Sequence, residues 1–189
     1  MIKKIPEACL LDLKINSNKI LKEIENCEES LFCNNQVSRR SNFPKTKKLY
    51  GYKITKNGKY YNDDYLNEIP TLKKIIEQIP GKTYIILIAD MEPKSNVFMH
   101  IDKGEYFENK FRFHIPLKTN DQVSFFVDKK IYNMKENEIW YIDNSFLHGV
   151  ENNSEENRIH LIFDIEINEE IVNFVKSGNF NLGKINDKI

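Results

Sequence analysis

Residues 84–101, YIILIADMEPKSNVFMHI, hold two short apolar runs, Tyr84–Ala89 and Val97–Ile101, separated by a polar turn. Short runs of this kind between polar turns are typical of strands. The pattern continues downstream and predicts further strands at Arg112–Leu117, Val123–Val127, Ile139–Ile142, Leu147–Val150 and Arg158–Ile165. Seven or eight short strands without a long helix between them predict an antiparallel sandwich or jelly-roll barrel.

The sequence before these strands has a different pattern, with helix signals and loops mixed over residues 1–82. Apolar residues at helical spacing predict a helix over Asn18–Leu31, with Ser17 as its cap. A second apolar stripe predicts a helix that begins at Pro70, because proline is tolerated in the first turn but not inside a helix. Between the two, Asn57-Gly58 predicts a hairpin turn.

The chain ends in a predicted helix over Glu169–Lys176, with Gly178 as its C-cap and a loosely ordered tail beyond it. No internal repeat and no Gly/Ser/Pro-rich linker divides the sequence. We therefore expect residues 1–189 to form a single domain. Its parts are a mixed helix and hairpin region (1–82), a strand-rich core (83–167) and a C-terminal helix and tail (168–189).

Composition excludes several classes of partner. The 189 residues include 28 Lys plus Arg and 28 Asp plus Glu, so the formal net charge is zero. A neutral chain lacks the basic field of a general nucleic-acid binder, and the longest apolar run is far too short to span a membrane. Acidic residues interrupt the N-terminal apolar stretch, so no signal peptide is predicted. Three cysteines, all before residue 34, indicate reduced thiols and a cytoplasmic location. The sequence does not indicate the oligomeric state.

Histidines and carboxylates in the strand-rich half suggest a metal site. His100 and Asp102 form a His-x-Asp pair at the end of a predicted strand, where side chains two residues apart point to the same face. His148, 48 residues further along the chain, would complete a set of two histidines and one carboxylate. Such a set suits Fe(II), because it leaves positions open for a cosubstrate and dioxygen. By itself the His-x-Asp pair is a weak signal, and a surface or capping role is its alternative.

The last predicted strand carries a candidate anion site. Arg158, His160 and Ile162 share one face of it, and the residues between them make the opposite face apolar. An arginine and a histidine that point into a barrel need an anionic partner, because an unpaired buried charge is costly. A carboxylate matches the guanidinium fork.

Four ordered segments resemble the aspartyl/asparaginyl β-hydroxylase-like family: His100-x-Asp102, Arg112-Phe113-His114-Ile115-Pro116-Leu117, His148-Gly149-Val150-Glu151-Asn152 and Arg158-x-His160-Leu161-x-x-Asp164. The resemblance covers about residues 83–166 and extends weakly upstream through Ile88–Pro93 and Gln36. Members are Fe(II)- and 2-oxoglutarate-dependent oxygenases with a double-stranded β-helix. The resemblance therefore implies a mainly β (α+β), jelly-roll or cupin-like core with flanking helices, and a hydroxylase that uses Fe(II), 2-oxoglutarate and dioxygen.

The resemblance also implies a ligand set and a substrate class. His100, Asp102 and His148 would be the iron ligands and catalytic residues. Some protein-modifying members have glycine in place of the carboxylate ligand. Since Asp102 is present, the chain is more similar to members with a complete triad, among which are hydroxylases of free amino acids such as proline. We therefore expect a free amino acid as substrate, with an Asp, Asn or Pro residue of a protein or peptide as the alternative. A non-catalytic jelly roll that binds a metal or a carboxylate is the alternative from another class.

Four more residues are implied to contact the cosubstrate or the substrate. Arg158 would bind the distal carboxylate of 2-oxoglutarate, and His114 would contact the cosubstrate near its metal-chelating end. Arg112 would face the cosubstrate or the substrate. His160 either hydrogen-bonds the same carboxylate as Arg158 or fills the barrel.

Three other features receive structural interpretations. Trp140 is expected in the core or at a barrel end, and Asn144 in a turn. Arg39-Arg40 and Lys45–Lys48 form a predicted basic loop, which we interpret as solvated, although in this fold such a loop can also cover the site and meet an acidic substrate.

Overall fold

The computed structural model describes residues 5–27, 32–35, 44–49 and 64–186. Its strands are β1 (Ala8–Leu11), β2 (Phe32–Asn35), β3 (Pro44–Leu49), β4 (Thr83–Met91), β5 (Ser95–His100), β6 (Lys110–Lys118), β7 (Val123–Val127), β8 (Lys130–Tyr132), β9 (Ile139–Ile142), β10 (His148–Asn152), β11 (Arg158–Glu166) and β12 (Lys184–Ile185). Its helices are α1 (Ser17–Glu25), α2 (Asp64–Asn67), α3 (Pro70–Ile76), α4 (Glu105–Glu108) and α5 (Glu169–Lys176).

The strands form two antiparallel sheets. The larger sheet has the order β1-β9-β6-β11-β4-β3-β2, and the smaller has the order β12-β8-β7-β10-β5. Each strand from β4 to β11 except β8 corresponds to a predicted strand, and β7 and β9 have the predicted bounds. The mainly β, jelly-roll fold class is confirmed.

Side chains alternate between the two faces of β4, β6 and β11, the central strands of the larger sheet. One face is apolar and packs against α1, α3 and α5 through a buried cluster that includes Ile88, Ile115 and Leu161. The opposite face turns toward the smaller sheet, and a second apolar cluster joins Met91 of β4 to Phe125 of β7. The polar side chains of β6 and β11 lie on this inner face, because they alternate with the apolar ones. The alternation therefore places the candidate site between the sheets.

Several predictions for the N-terminal part need correction. Lys45–Lys48 lies in β3, which pairs with β4, and is not a loop. Backbone pairing with a neighbouring strand does not require apolar side chains, so a lysine-rich segment gave no strand signal. β1 and β3 both join the larger sheet. Gln36, Arg39-Arg40 and the hairpin at Asn57-Gly58 lie outside the described residues.

The helix predictions are partly confirmed. α5 has the predicted bounds, and α3 begins at Pro70. The cap of α1 is Asn16, whose Oδ1 accepts a hydrogen bond from the Lys19 N–H at 2.9 Å. Ser17 is not the cap, because its buried hydroxyl donates to the Pro116 carbonyl at 2.6 Å.

Three further predictions concern Trp140, the C-terminal tail and membrane-spanning segments. Trp140 is buried in the core between the sheets, as predicted. The tail after α5 is not loose throughout, since Lys184–Ile185 pairs with β8. No helix in the described part of the chain is long and apolar enough to cross a membrane.

Candidate active site between the two sheets

His100, Asp102 and His148 meet at one end of a cavity between the sheets. β5 and β10 pair so that His100 lies opposite His148, and the centroids of the two imidazole rings are 4.2 Å apart. His100 Nε2 lies 3.7 Å from Asp102 Oδ1. One ligand atom of each residue lies within 4.8 Å of the other two, which is close enough for a single metal ion to contact all three. The structure thus brings together the three predicted ligands.

Backbone carbonyls favour the same tautomer in both histidines, one that leaves Nε2 unprotonated. His100 Nδ1 lies 2.7 Å from the Phe98 carbonyl oxygen, and His148 Nδ1 lies 3.0 Å from that of Phe146. A carbonyl only accepts, so we assign the hydrogen to Nδ1 in each ring, which leaves the Nε2 lone pair for a ligand. Burial lowers the pKa of His148 to about 4, so this ring is neutral at pH 7.

A glycine allows the two histidine strands to approach each other. A Cβ atom on Gly149 would lie 2.8 Å from Met99 Sδ and 2.9 Å from the Val97 carbonyl oxygen. Both distances are shorter than real Cβ contacts. Gly149, directly after His148, therefore permits the close packing of β10 on β5 that brings His148 beside His100.

Asp102 is buried, and two side chains of the described residues donate to it. Its Oδ2 accepts hydrogen bonds from Asn144 Nδ2 at 2.8 Å and from Arg112 Nη1 at 3.0 Å. The Asp102 backbone N–H also donates to the Asn144 carbonyl at 3.1 Å. Because both side-chain donors contact Oδ2, they orient the carboxylate so that Oδ1 lies on the His100 side.

Arg112 connects this carboxylate to a second one. Its Nε and Nη2 donate to Asp164 Oδ1 and Oδ2 at 2.7 and 2.9 Å, and the Tyr106 hydroxyl donates to Asp164 Oδ2 at 3.0 Å. Burial disfavours the charge of Arg112, but the nearby carboxylates of Asp164 and Asp102 outweigh it and raise the pKa of the guanidinium.

The other end of the site holds buried nitrogens that have no partner in the described part of the chain. Arg158 is 3% exposed, and its Nη2 donates to His160 Nδ1 at 2.7 Å. Within the described residues, Arg158 Nε, His160 Nε2 and both ring nitrogens of His114 have no hydrogen-bond partner. Burial alone lowers the pKa of Arg158 to about 9. Burial, followed by the charge of Arg158, holds the pKa values of His114 and His160 well below their usual range.

One cavity of about 290 Å³ joins the two ends. Its polar lining comes from both sheets and the loops beside them: His100, Asp102, Arg112, His114, Asn144, His148 and Arg158. Apolar side chains from five strands and Phe107 of α4 complete the wall. A volume of this size is near the lower limit for small-molecule sites.

A family model described as Aspartyl/Asparaginyl beta-hydroxylase matches residues 15–167. The chain belongs to this family. The match includes every predicted site residue and confirms the resemblance found in the four sequence segments. No sequence among the curated proteins matches the chain.

Solved structures show the same fold in relatives of low identity. A prolyl hydroxylase from Trichoplax adhaerens, in complex with a hypoxia inducible factor oxygen degradation domain peptide fragment, has a TM-score of 0.57 at 14% identity, with 87% of this chain and 86% of that chain covered. A 2OG-Fe(II) oxygenase family oxidoreductase from Burkholderia pseudomallei has a TM-score of 0.56 at 13% identity, with 77% and 78% covered. The collagen prolyl hydroxylase of Paramecium Bursaria Chlorella virus-1, in its 2OG complex, has a TM-score of 0.54 at 8% identity, with 86% and 97% covered.

The structure adds to the candidate site of this family member three residues to which the sequence analysis gave no role there. Asn144 is not only a turn residue, because its amide holds Asp102. Asp164 pairs with Arg112 across β11 and β6, and Tyr106 of α4 contacts Asp164. A signal for Asp164 was present, since it shares the polar face of β11 with Arg158. The roles implied for Arg112, Arg158 and the two histidines beside them stay predictions.

Proposed function

We propose that the protein is an Fe(II)- and 2-oxoglutarate-dependent dioxygenase that hydroxylates a C–H bond of an amino acid. One observation gives the main support for this proposal. A single cavity has three metal-ligating side chains at one end and, at the other, a buried guanidinium without a carboxylate partner in the described structure. A 2-oxoacid that also carries a distal carboxylate is suited to such a pair of sites.

The residues present fit both groups. His100 and His148 would offer Nε2 and Asp102 would offer Oδ1, a facial set typical of Fe(II) oxygenases. When bound, iron and 2-oxoglutarate supply the oxidising chemistry, and the protein supplies orientation and a cavity with limited access for water.

Arg158 would hold the distal carboxylate of 2-oxoglutarate. Leaving a buried guanidinium without a counter-ion is costly, and two parallel N–H···O bonds to a carboxylate remove that cost. His160 accepts from Nη2 through Nδ1 and so limits the orientations of the guanidinium plane. His114 lies in the wall between Arg158 and the metal ligands and would donate one ring N–H to the cosubstrate nearer its chelating end.

A free amino acid is the proposed substrate class, because the carboxylate ligand Asp102 is present. A residue in a peptide is the second candidate, and a specific observation favours it. Phe98, Ile101 and Leu147 are large apolar side chains that are 53%, 36% and 39% exposed, and each lies within two residues of a proposed ligand. A substrate larger than the cavity would cover them. The free thiols of Cys9 and Cys27 support the cytoplasmic location that we expect.

The test is to incubate the protein with Fe(II), 2-oxoglutarate and oxygen and to measure succinate. Free amino acids and peptides that contain Asp, Asn or Pro are then screened for a mass gain of one oxygen atom. We expect slow succinate formation alone and faster formation with the substrate. Binding of metal and 2-oxoglutarate without succinate under any condition would instead establish a non-catalytic binding module.

A further inference from the structure

We propose that Asp164 is a positioning residue for the metal site: by binding two edges of the Arg112 guanidinium, it limits Arg112 to one oxygen of Asp102. Tyr106 in turn positions Asp164. This inference rests on the proposed function, because it assumes that Asp102 ligates a metal. It concerns residues that contact neither the metal nor the substrate cavity directly, since Asp164 and Tyr106 do not line that cavity.

The contacts of Arg112 divide unequally between two buried carboxylates. Asp164 receives two hydrogen bonds, one on each oxygen, from Nε and Nη2. Asp102 receives one, from Nη1 to Oδ2 at 3.0 Å. Asp102 Oδ1 lies instead on the side of His100, 3.7 Å from its Nε2. The bidentate pair is thus made with the carboxylate that does not face the metal site.

This division matters because a guanidinium prefers to pair with both oxygens of a carboxylate. Without the charge of Asp164, the Arg112 fork would be free to turn onto both oxygens of Asp102. It would then compete directly with a metal ion for Oδ1. By accepting two hydrogen bonds from the guanidinium, Asp164 prevents that competition. Arg112 then keeps a single hydrogen bond to Asp102, which helps to orient it.

Charge acts in the same direction. Asp164 brings a negative charge close to Arg112 and Asp102, beside the proposed metal position. Neutralising Asp164 would make these surroundings more positive and so less favourable for a cation. For both reasons we expect weaker metal binding when the carboxylate of Asp164 is removed.

Tyr106 extends the same arrangement to α4. Its hydroxyl donates to Asp164 Oδ2, the oxygen that also accepts from Arg112 Nη2. Phe107, the next residue, places its ring centroid 5.3 Å from the Arg112 guanidinium carbon and also lines the cavity. The short helix thus holds Asp164 with one side chain and packs on Arg112 with the next.

The test measures Mn(II) affinity of the metal-free chain by electron paramagnetic resonance, without turnover. Asp164→Asn is compared with Glu166→Gln, which removes a carboxylate from the same strand but one bound to Tyr84 rather than to Arg112. We expect about a 10- to 100-fold loss of affinity for Asp164→Asn, the range for residues that orient metal ligands. Glu166→Gln should bind like the parent.

A second pair of variants removes only a hydroxyl group. Tyr106→Phe should weaken Mn(II) binding by up to about tenfold, the effect of one hydrogen bond, while Tyr84→Phe should not change it. The Co(II) absorption spectrum should shift in Asp164→Asn and Tyr106→Phe but not in the two controls, because it reports the ligand geometry. A merely structural role would lower the melting temperature of the metal-free protein and leave affinity and spectrum unchanged.

The outcomes separate this inference from the proposed function. If the parent binds Mn(II) and folded Asp164→Asn binds it equally well with the same Co(II) spectrum, the positioning role is overturned and the proposed function is not. If Asp164→Asn does not fold, parent-like affinity in Tyr106→Phe overturns the role instead. If the parent itself binds no Mn(II), both the proposed function and the inference are wrong.

Discussion

The two ends of the cavity differ in how far the protein has satisfied its own polar groups. At the metal end, each histidine donates Nδ1–H to a carbonyl, and Asp102 accepts from Asn144 and Arg112. At the other end, four buried nitrogens of Arg158, His160 and His114 have no partner within the described residues. At the metal end the proposed ligand side chains are therefore held by protein groups, whereas the nitrogens at the anion end would gain partners from the proposed ligand.

This difference has an energetic consequence. A buried polar group without a partner destabilises a fold by about 1–3 kcal/mol, whereas a paired group does not. Four unpaired nitrogens at the anion end should thus lower the stability of the ligand-free protein more than the single unpaired acceptor at the metal end, Asn144 Oδ1, among the described residues. Substitutions at the two ends should therefore affect stability differently.

The largest expected effect is on metal binding when a ligand is removed. His148→Ala leaves two ligand side chains and should lower Fe(II) or Mn(II) affinity by more than about 100-fold, since even residues that only orient ligands contribute 10- to 100-fold. Metal titration of the purified metal-free protein measures it. Unchanged affinity would show that the three side chains that meet here are not a metal site.

The difference between the two ends of the cavity is tested most directly by the same substitution in Arg112 and in Arg158. Arg112→Met leaves Asp164 and Asp102 without their shared buried counter-ion and should lower the free energy of unfolding by about 3–5 kcal/mol. Arg158→Met removes a buried cation that has no carboxylate partner among the described residues, but it also breaks the hydrogen bond to His160, so the free energy of unfolding should change by no more than about 1 kcal/mol. Urea denaturation of the ligand-free proteins measures both values.

The same Arg158→Met protein should bind 2-oxoglutarate at least about 100-fold more weakly, because it loses two charge-assisted hydrogen bonds of roughly 1.5–3 kcal/mol each. Its Mn(II) affinity should stay close to that of the parent. If both methionine variants lose the same free energy of unfolding, the two ends do not differ in how well their buried polar groups are paired. Unchanged 2-oxoglutarate affinity would move the carboxylate anchor elsewhere.

An intermediate effect is expected from Gly149→Ala. The added methyl group would lie 2.8 Å from Met99 Sδ and 2.9 Å from the Val97 carbonyl, so β5 must move away from β10. Overpacking of this kind lowers the free energy of unfolding by about 1–3 kcal/mol. Because the strands carry His100 and His148, Mn(II) affinity should fall by about tenfold, and isothermal titration calorimetry measures it. Parent-like affinity would show that the spacing of the two strands does not set the ligand geometry.

Part of this organisation could be predicted from the sequence. The strands between residues 83 and 167 have strong local signals, because apolar and polar side chains alternate along them. The partners of Arg112 had no such signal. They depend on the register of β6 against β11, which places Arg112 opposite Asp164, and on a contact between Asp102 and Asn144 that are 42 residues apart. Sequence reasoning therefore predicted the three side chains that meet, but it assigned Arg112 only to the cosubstrate or substrate.

The smallest expected effect tests how the metal end is held. Asn144→Ala removes the amide that donates to Asp102 Oδ2 but keeps the backbone bond from the Asp102 N–H to the carbonyl of residue 144. It also removes Asn144 Oδ1, a buried acceptor without a partner in the described structure, so the net change in stability should be small. Arg112 still orients the carboxylate, and Mn(II) affinity should fall by only about two- to tenfold. Asn157→Ala is the matched control, because its amide donates to Asp90, a carboxylate that does not line the cavity. If the two variants bind Mn(II) alike, the Asn144 amide is not needed to orient Asp102, and the organisation of the metal end depends on fewer contacts than the hydrogen bonds indicate.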